Sequence, residues 1–312
     1  MEFFRNPNFN FVGAMKPAFI FSTVLVLAAL VSLVMHGGPR QSIDFTGGTI
    51  LQVRVTPVPE ISQIRDTLEG AGFTGVQVQD FGALDEFLIT FPRLEAEEGN
   101  ENALMDQAQI MLDQLRAGLA GHELELRREE SVGPKVGGEL RAAAANAIAL
   151  SLVLIVIYIW FRFVFRYGIA AIVALVHDVT LTLGIFSLLN LEVSLSVIAA
   201  FLTIIGYSLN DTIVVFDRIR ENMKLRRKES YSEVINRSIN ECLSRTVLTS
   251  LTTFFVSLTL FIFGGPVIHD FAFALCFGVI VGTYSSMFIA SPVLVYWYEH
   301  FIADRKRAGA SM

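Results

Sequence analysis

A carboxylate interrupts the apolar run "IIGYSLNDTIVVFDRIREN", Ile204 to Asn222: Asp211 follows Asn210 and precedes Ile213, Val214, Val215 and Phe216. An acid in such company either takes up and releases protons, because burial favours the neutral form of a carboxyl, or makes a fixed hydrogen bond between helices. Asp178 poses the same choice in "ALVHDVTLTLG", with His177 beside it as a proton relay or a hydrogen-bonded packing residue. Successive helical side chains point about 100° apart, so His177 and Asp178 need not share a site. Arg245 opens "SRTVLTSLTTFFVSLTLF" and supplies a charge that can pair with Asp211 across helices. Thr246, Thr249, Ser250, Thr253 and Ser257 follow at helical spacing. Such a stripe suits either close helix packing or a hydroxyl-lined proton path. Gly206, one turn before Asn210, would let a neighbour approach that face.

These groups need a scaffold, and the composition says what kind. Of 312 residues, 53% are hydrophobic and 17% charged, where soluble domains carry about 25% charge. The mean hydropathy of +0.54 points the same way, to a membrane protein. Six stretches have the roughly 20 apolar residues that a crossing helix requires: Pro17 to Met35, Ala142 to Phe161, Gly168 to Leu189, Leu195 to Phe216, Thr246 to Phe263, and Phe271 to Tyr296. The first is too long for a signal peptide and lacks a small-x-small cleavage site in "LVMHGGPR", so it reads as a retained anchor. Asp211 then lies about 9 Å inside the end of span four. Asp178 lies near the middle of span three. An ionised Asp at mid-bilayer costs roughly 2.5–3.5 kcal/mol, and such residues usually face other helices and mark a pathway.

Lys and Arg crowd the segment between spans four and five, from Arg218 to Arg245. The loop at Arg162 and Arg166 and the tail at Arg305, Lys306 and Arg307 are also basic, whereas "NLEVS" and "GGPVIHD" have no Lys or Arg. The positive-inside rule therefore predicts cytoplasmic termini. Within the basic segment, "SEVINRSINECLSR" reads as a short amphipathic helix lying on the inner membrane surface. The predicted division is 1–35 for the N-terminus and first helix, 36–141 for an exported domain, and 142–312 for helices two to six. The last part includes the cytoplasmic basic segment 217–245 and a cytoplasmic tail.

The exported insert has a different texture. "TILQVRV" alternates as a half-buried strand does. "EISQIRDTLEGAG" places Ile61, Ile64 and Leu68 on one helical face and ends at glycine. "GVQVQDF" and "EFLITF" read as strands, "ENALMDQAQIMLDQLRAGLAG" as a helix with Leu104, Ala108, Met111, Leu112, Leu115 and Leu119 inward, and "HELELRREE" as a closing strand. The order β-α-β-β-α-β predicts a ferredoxin-like α+β domain. Its acidic residues outnumber its basic ones two to one, and no catalytic dyad is visible in it. His36 and His122 read as boundary residues. Cys242 and Cys276 lack the spacing of a metal site or disulfide framework and read as small buried apolar residues. With no phosphate loop, metal cluster or nucleophile-base pair, an enzyme is the least favoured class.

Five motifs in order, "SIDFTGGT", "VGPKVGGELR", "VHDVTLTLG", "GYSLNDTIVVFDRIREN" and "NRSINECLSRTVLTSLTT", resemble the SecF family over almost the whole chain. The resemblance implies a subunit of the bacterial Sec protein-export machinery. It implies a partnership with SecD and the SecYEG channel, contact with the translocating polypeptide and the lipid bilayer of the cytoplasmic membrane, and no nucleic acid. It also implies kinship with resistance-nodulation-division (RND) transporters and use of the proton-motive force, with protons as the coupling ion and no other cofactor. Asp211 and Arg245 match the family's functional intramembrane residues, Asp178 a further polar position, and Asp44 to Gly48 a signature. Read from its residues, Gly47-Gly48 is a turn with freedom of backbone angles where the chain leaves the first helix. Two rival readings share this membrane physics: an RND-type half-transporter of lipids or small molecules, and a non-catalytic scaffold of a translocation channel.

Overall fold

The computed structural model describes residues 7–92 and 102–303. The side chain of Leu104 and the tail residues Arg305, Lys306 and Arg307 lie outside the described part.

Among the described residues, six helices are long and apolar enough to cross a membrane. They are α1 (Phe11–Met35), α5 (Pro134–Arg162), α6 (Phe165–Leu188), α7 (Leu195–Leu225), α8 (Tyr231–Phe263) and a sixth running from α9 (Pro266–Ser285) through a π-helical turn (Ser286–Ala290) into α10 (Ser291–Trp297). In the π turn the Ser291 hydroxyl caps the Ser286 carbonyl at 3.2 Å. Helices α6, α7 and α9 pack on one another at the centre, and α1, α5 and α8 turn broad apolar faces outward. Small residues set the central spacing. A Cβ on Gly278 would fall 2.4 Å from Ile204 Cδ1, and one on Gly282 would fall 2.9 Å from Ser208 Cβ. This is the G-x-x-x-G device that lets membrane helices approach closely. Gly184 does the same between α6 and α1, where a Cβ would fall 2.8 Å from the Ala29 Cα.

Between α1 and α5 lie β1 (Arg40–Gln41), α2 (Ile43–Thr46), β2 (Gly48–Thr56), α3 (Ile61–Gly70), β3 (Gln77–Phe81), β4 (Ala83–Pro92), α4 (Asn102–Gly118) and β5 (Glu123–Val132). Strands β2 to β5 form one antiparallel sheet in the order β3-β4-β2-β5. Leu51, Val53 and Val55 on β2 pack with Ile64 and Leu68 of α3, with Ala108, Met111, Leu112 and Leu115 of α4, and with Leu119 just beyond its end. Segments β1 and α2 do not join this sheet. Strand β1 pairs in parallel with β6 (Glu192–Val193), in the loop between α6 and α7, and α2 packs on the first turns of α5.

One expectation for the basic segment fails. Helix α7 itself runs on to Leu225, nine residues beyond the apolar span that ends at Phe216. The stretch expected as a surface helix is instead the first half of α8, continuous with span five. Ser230 and Glu233 form a capping box, and no Gly or Pro breaks the chain between Tyr231 and Phe263. Once started, the helix has no local reason to stop. Ile235, Ile239, Cys242 and Leu243 are buried with Phe216 and Ile219 of α7, so their apolar face meets protein and not a lipid surface.

Candidate functional site

Asp211 is 3% exposed and faces α8. Its Oδ2 lies 3.4 Å from Ser250 Oγ, and that hydroxyl lies 2.7 Å from Thr283 Oγ1 on α9. Three helices thus meet through one carboxylate and two hydroxyls. Among the described residues Arg245 makes no ion pair with Asp211; it is exposed, and its charge acts on the carboxylate only from a distance. Helical geometry gives the reason. Five residues separate Arg245 from Ser250, about 140° around the helix, so a helix that aims Ser250 at α7 aims Arg245 elsewhere. Asn210 is exposed for the same reason, and Gly206 on its face has nothing near its Cβ direction.

The hydroxyl stripe is narrower than its spacing predicts. Thr246, Ser250 and Ser257 are buried. Thr249 and Thr253 are half-buried and turn their hydroxyls onto their own helix, Thr249 to the Arg245 carbonyl and Thr253 to the Thr249 carbonyl, each at 3.0 Å. Such back-bonding is the usual local alternative for Thr in a helix. Thr246 Oγ1 is buried without a hydrogen-bond partner. Both cysteine thiols are buried.

A second polar cluster lies beside the first. Asp178 is 1% exposed. Its Oδ2 accepts hydrogen bonds from Ser208 of α7 at 2.5 Å and Ser285 of α9 at 2.8 Å. Its Oδ1 lies 2.9 Å from His177 Nδ1, so the two neighbours do share a site. The His177 ring stacks on Tyr284 with centroids 6.3 Å apart, and its Nε2 is buried without a partner. Helices α7 and α9 each serve both clusters, α7 through Ser208 and Asp211, α9 through Ser285 and Thr283. Sequence reasoning passed over Ser208, Thr283 and Ser285. The signal that finds them is Gly278 and Gly282, whose spacing marks where α9 presses on α7.

The signature turn lies at the other end of α7. Ser42 caps α2, and Gly47 and Gly48 both adopt positive φ, +75° and +150°, a region that favours glycine. Asp44 Oδ2 accepts a hydrogen bond from Leu195 N, the first residue of α7, at 2.9 Å. Arg141 of α5 donates to the Phe45 carbonyl at 3.0 Å, and Gly137 packs on the same carbonyl. Glu192 pairs with Arg40 at 3.2 Å and accepts from Gln77 of β3 at 2.9 Å.

Six apolar helices among the described residues, with buried acids and hydroxyls at their central contacts, define a multi-pass membrane protein whose functional candidates are polar clusters within the helix bundle. The comparisons place it further. The family described as "Protein export membrane protein SecD/SecF, C-terminal" matches residues 113–300, and the "SecD/SecF GG Motif" matches residues 33–57. The chain belongs to the SecD/SecF family of protein export membrane proteins. Protein translocase subunit SecF of Desulfurispirillum indicum is 48% identical over 284 residues, 90% of this chain and 89% of that one. The SecF of Rhodothermus marinus is 42% identical over 99% of this chain and 100% of its own. The crystal structure of SecDF from Thermus thermophilus, described as a translocon-associated membrane protein, superposes with a TM-score of 0.82 at 41% identity over 95% of this chain. This chain covers only 39% of that longer protein.

Proposed function

We propose that this chain is a proton-coupled subunit of the Sec protein-export machinery, working in the bacterial cytoplasmic membrane with both termini cytoplasmic. The observation that carries the reading is Asp211, buried where α7, α8 and α9 meet and hydrogen-bonded to Ser250. A proton arriving there neutralises the carboxylate, changes what the Ser250 hydroxyl sees, and alters the preferred packing of α7 on α8. One charge crossing 100 mV releases about 2.3 kcal/mol. That biases a two-state rearrangement about fiftyfold, since 1.4 kcal/mol is tenfold.

The β2 to β5 unit is the exported, ferredoxin-like domain in this reading. Its β-α-β-β-α-β order and antiparallel sheet support that assignment. It holds or releases the emerging polypeptide late in translocation. SecD is the partner. SecDF of Thermus thermophilus is 44% identical over 94% of this chain yet leaves most of its own length unmatched, this chain covering 39% of it. Asn210 and Arg245, exposed on α7 and α8, are left for that second half to meet, close to the SecYEG channel.

The test is Asp211→Asn in membrane vesicles carrying the SecD-associated protein. Proton-dependent export and proton conductance should both be abolished while the protein accumulates normally. Unchanged export and conductance would sink the proton reading, and failure of assembly alone would favour the scaffold.

A further inference from the structure

Asp44 ties two parts of the chain together. On one side, Gly48 begins β2, the strand that pairs with both β4 and β5 in the sheet. On the other, the Asp44 carboxylate holds the first N–H of α7 at 2.9 Å. Beside it, Phe45 of α2 is buried in one apolar cluster with Val193 and with Val197, Ala200 and Phe201 at the start of α7, a contact that holds α2 in place but gives no directional grip. Strand β1 meets β6 over two residues, with Ser42 N donating to the Val193 carbonyl at 3.0 Å. The Glu192 side chain bridges Arg40 and Gln77. Helix α2 is braced from behind by Arg141 and Gly137 of α5.

Helix α7 is a stiff rod between this joint and the buried acid. Leu195 and Asp211 are sixteen residues apart, about 24 Å at the helical rise. A shift of α7 along or about its axis therefore arrives at Leu195 nearly undiminished. A carboxylate is the natural grip at that point. It satisfies an N–H that has no partner inside the helix, and its charge complements the positive end of the helix dipole. Ser194, the capping residue of α7, bonds Val197 N and leaves the Leu195 N–H for Asp44.

We propose that Asp44 is the positioning residue that transmits movement of α7 to the exported sheet, so that the D-F-T-G-G turn is a mechanical joint. The proposal rests on the proton-coupled reading above, which supplies the movement. Gly47 and Gly48 serve the joint by letting the chain turn sharply from the Asp44 grip into β2.

The experiment uses the full chain with its SecD partner in proteoliposomes, labelled at exposed Ser62 of α3 and exposed Leu189 beside the α7 start. The distance between labels is read with and without an imposed pH gradient, alongside proton conductance and polypeptide export. Asp44→Ala should abolish the gradient-dependent distance change and lower export at least tenfold, with conductance within about twofold of the parent, since a tenfold loss is the scale of one strong contact. Asp44→Asn keeps an acceptor oxygen and should recover most of the coupling. Leu195→Pro attacks the same bond from the donor side. Proline is well tolerated at a first helical position, and Ser194 already has the extended backbone that precedes proline readily. It should reproduce Asp44→Ala, and the double variant should be no worse than either alone. If Leu195→Pro keeps the distance change and export of the parent, the joint is disproved, whether or not Asp44→Ala folds. If Asp211→Asn has no effect, the proton reading has failed instead, which is a separate result.

Discussion

Asp211 on α7 and Ser250 on α8 touch through Oδ2 and Oγ at 3.4 Å, whereas Arg245, five residues before Ser250, points to the exterior. The partner of the buried acid is thus a neutral hydroxyl, itself 2.7 Å from Thr283. A neutral partner leaves the carboxyl free to gain or lose a proton without breaking an ion pair.

Ser250→Ala should lower proton-dependent export about tenfold, because a hydrogen bond to a charged group contributes roughly 1.5–3 kcal/mol. Thr283→Val should cost less, since Thr283 reaches the acid only through Ser250. It should add nothing in the Ser250→Ala background, because residues acting in one network are not additive. Export rates of the two single variants and the double variant check this, and additive losses would refute the shared chain.

Asp178 is the keystone of the second cluster, receiving Ser208, Ser285 and His177 at once. Asp178→Leu strands Ser208 and His177, while Ser285 keeps the Gly282 carbonyl at 3.1 Å, and should destabilise the protein by about 3 kcal/mol, at 1–3 kcal/mol per unsatisfied buried group. Asp178→Asn keeps an acceptor for both serines and offers a donor to His177, and should unfold within a few degrees of the parent. Thermal unfolding in detergent measures both. An Asn variant as unstable as the Leu variant would show that charge, and not hydrogen bonding, holds the cluster.

Glu192 lies outside the spans, and its pKa is raised above the usual carboxylate range by burial, opposed by Arg40 and reinforced by Asp270 and Asp44. The sign follows directly. An acid whose pKa is raised on folding holds its proton more tightly in the folded protein, so its contribution is fully favourable below the unfolded value and is lost as pH rises through the folded one. Glu192→Gln, which keeps a partner for Gln77, should therefore match or exceed the parent in thermal stability at neutral pH. The difference should close as pH falls towards about 4, the ordinary glutamate value. A parent more stable than Glu192→Gln at neutral pH would mean that the Arg40 ion pair outweighs burial.

The sequence by itself determined what most segments must be, the stretch from Tyr231 to Arg245 excepted. Apolar length fixed six membrane helices, alternation and helical periodicity fixed the strands and helices between the first two, and a lone acid in an apolar run marked Asp211. These are properties of neighbours along the chain, and periodicity reports them. Tertiary structure decided which groups meet. Ser208, Thr283 and Ser285 are unremarkable in sequence and become partners of Asp178 or Ser250 only where α7 meets α6, α9 meets α8 and α9 meets α6. Arg245 could pair with Asp211 by leaflet, yet the rotation of α8 leaves it exposed, as that of α7 leaves Asn210. Asp44 and Leu195 are 151 residues apart, and no local pattern announces a bond between them. Helix rotation and contact between distant segments are set by packing over the whole bundle, so only the folded chain could reveal them.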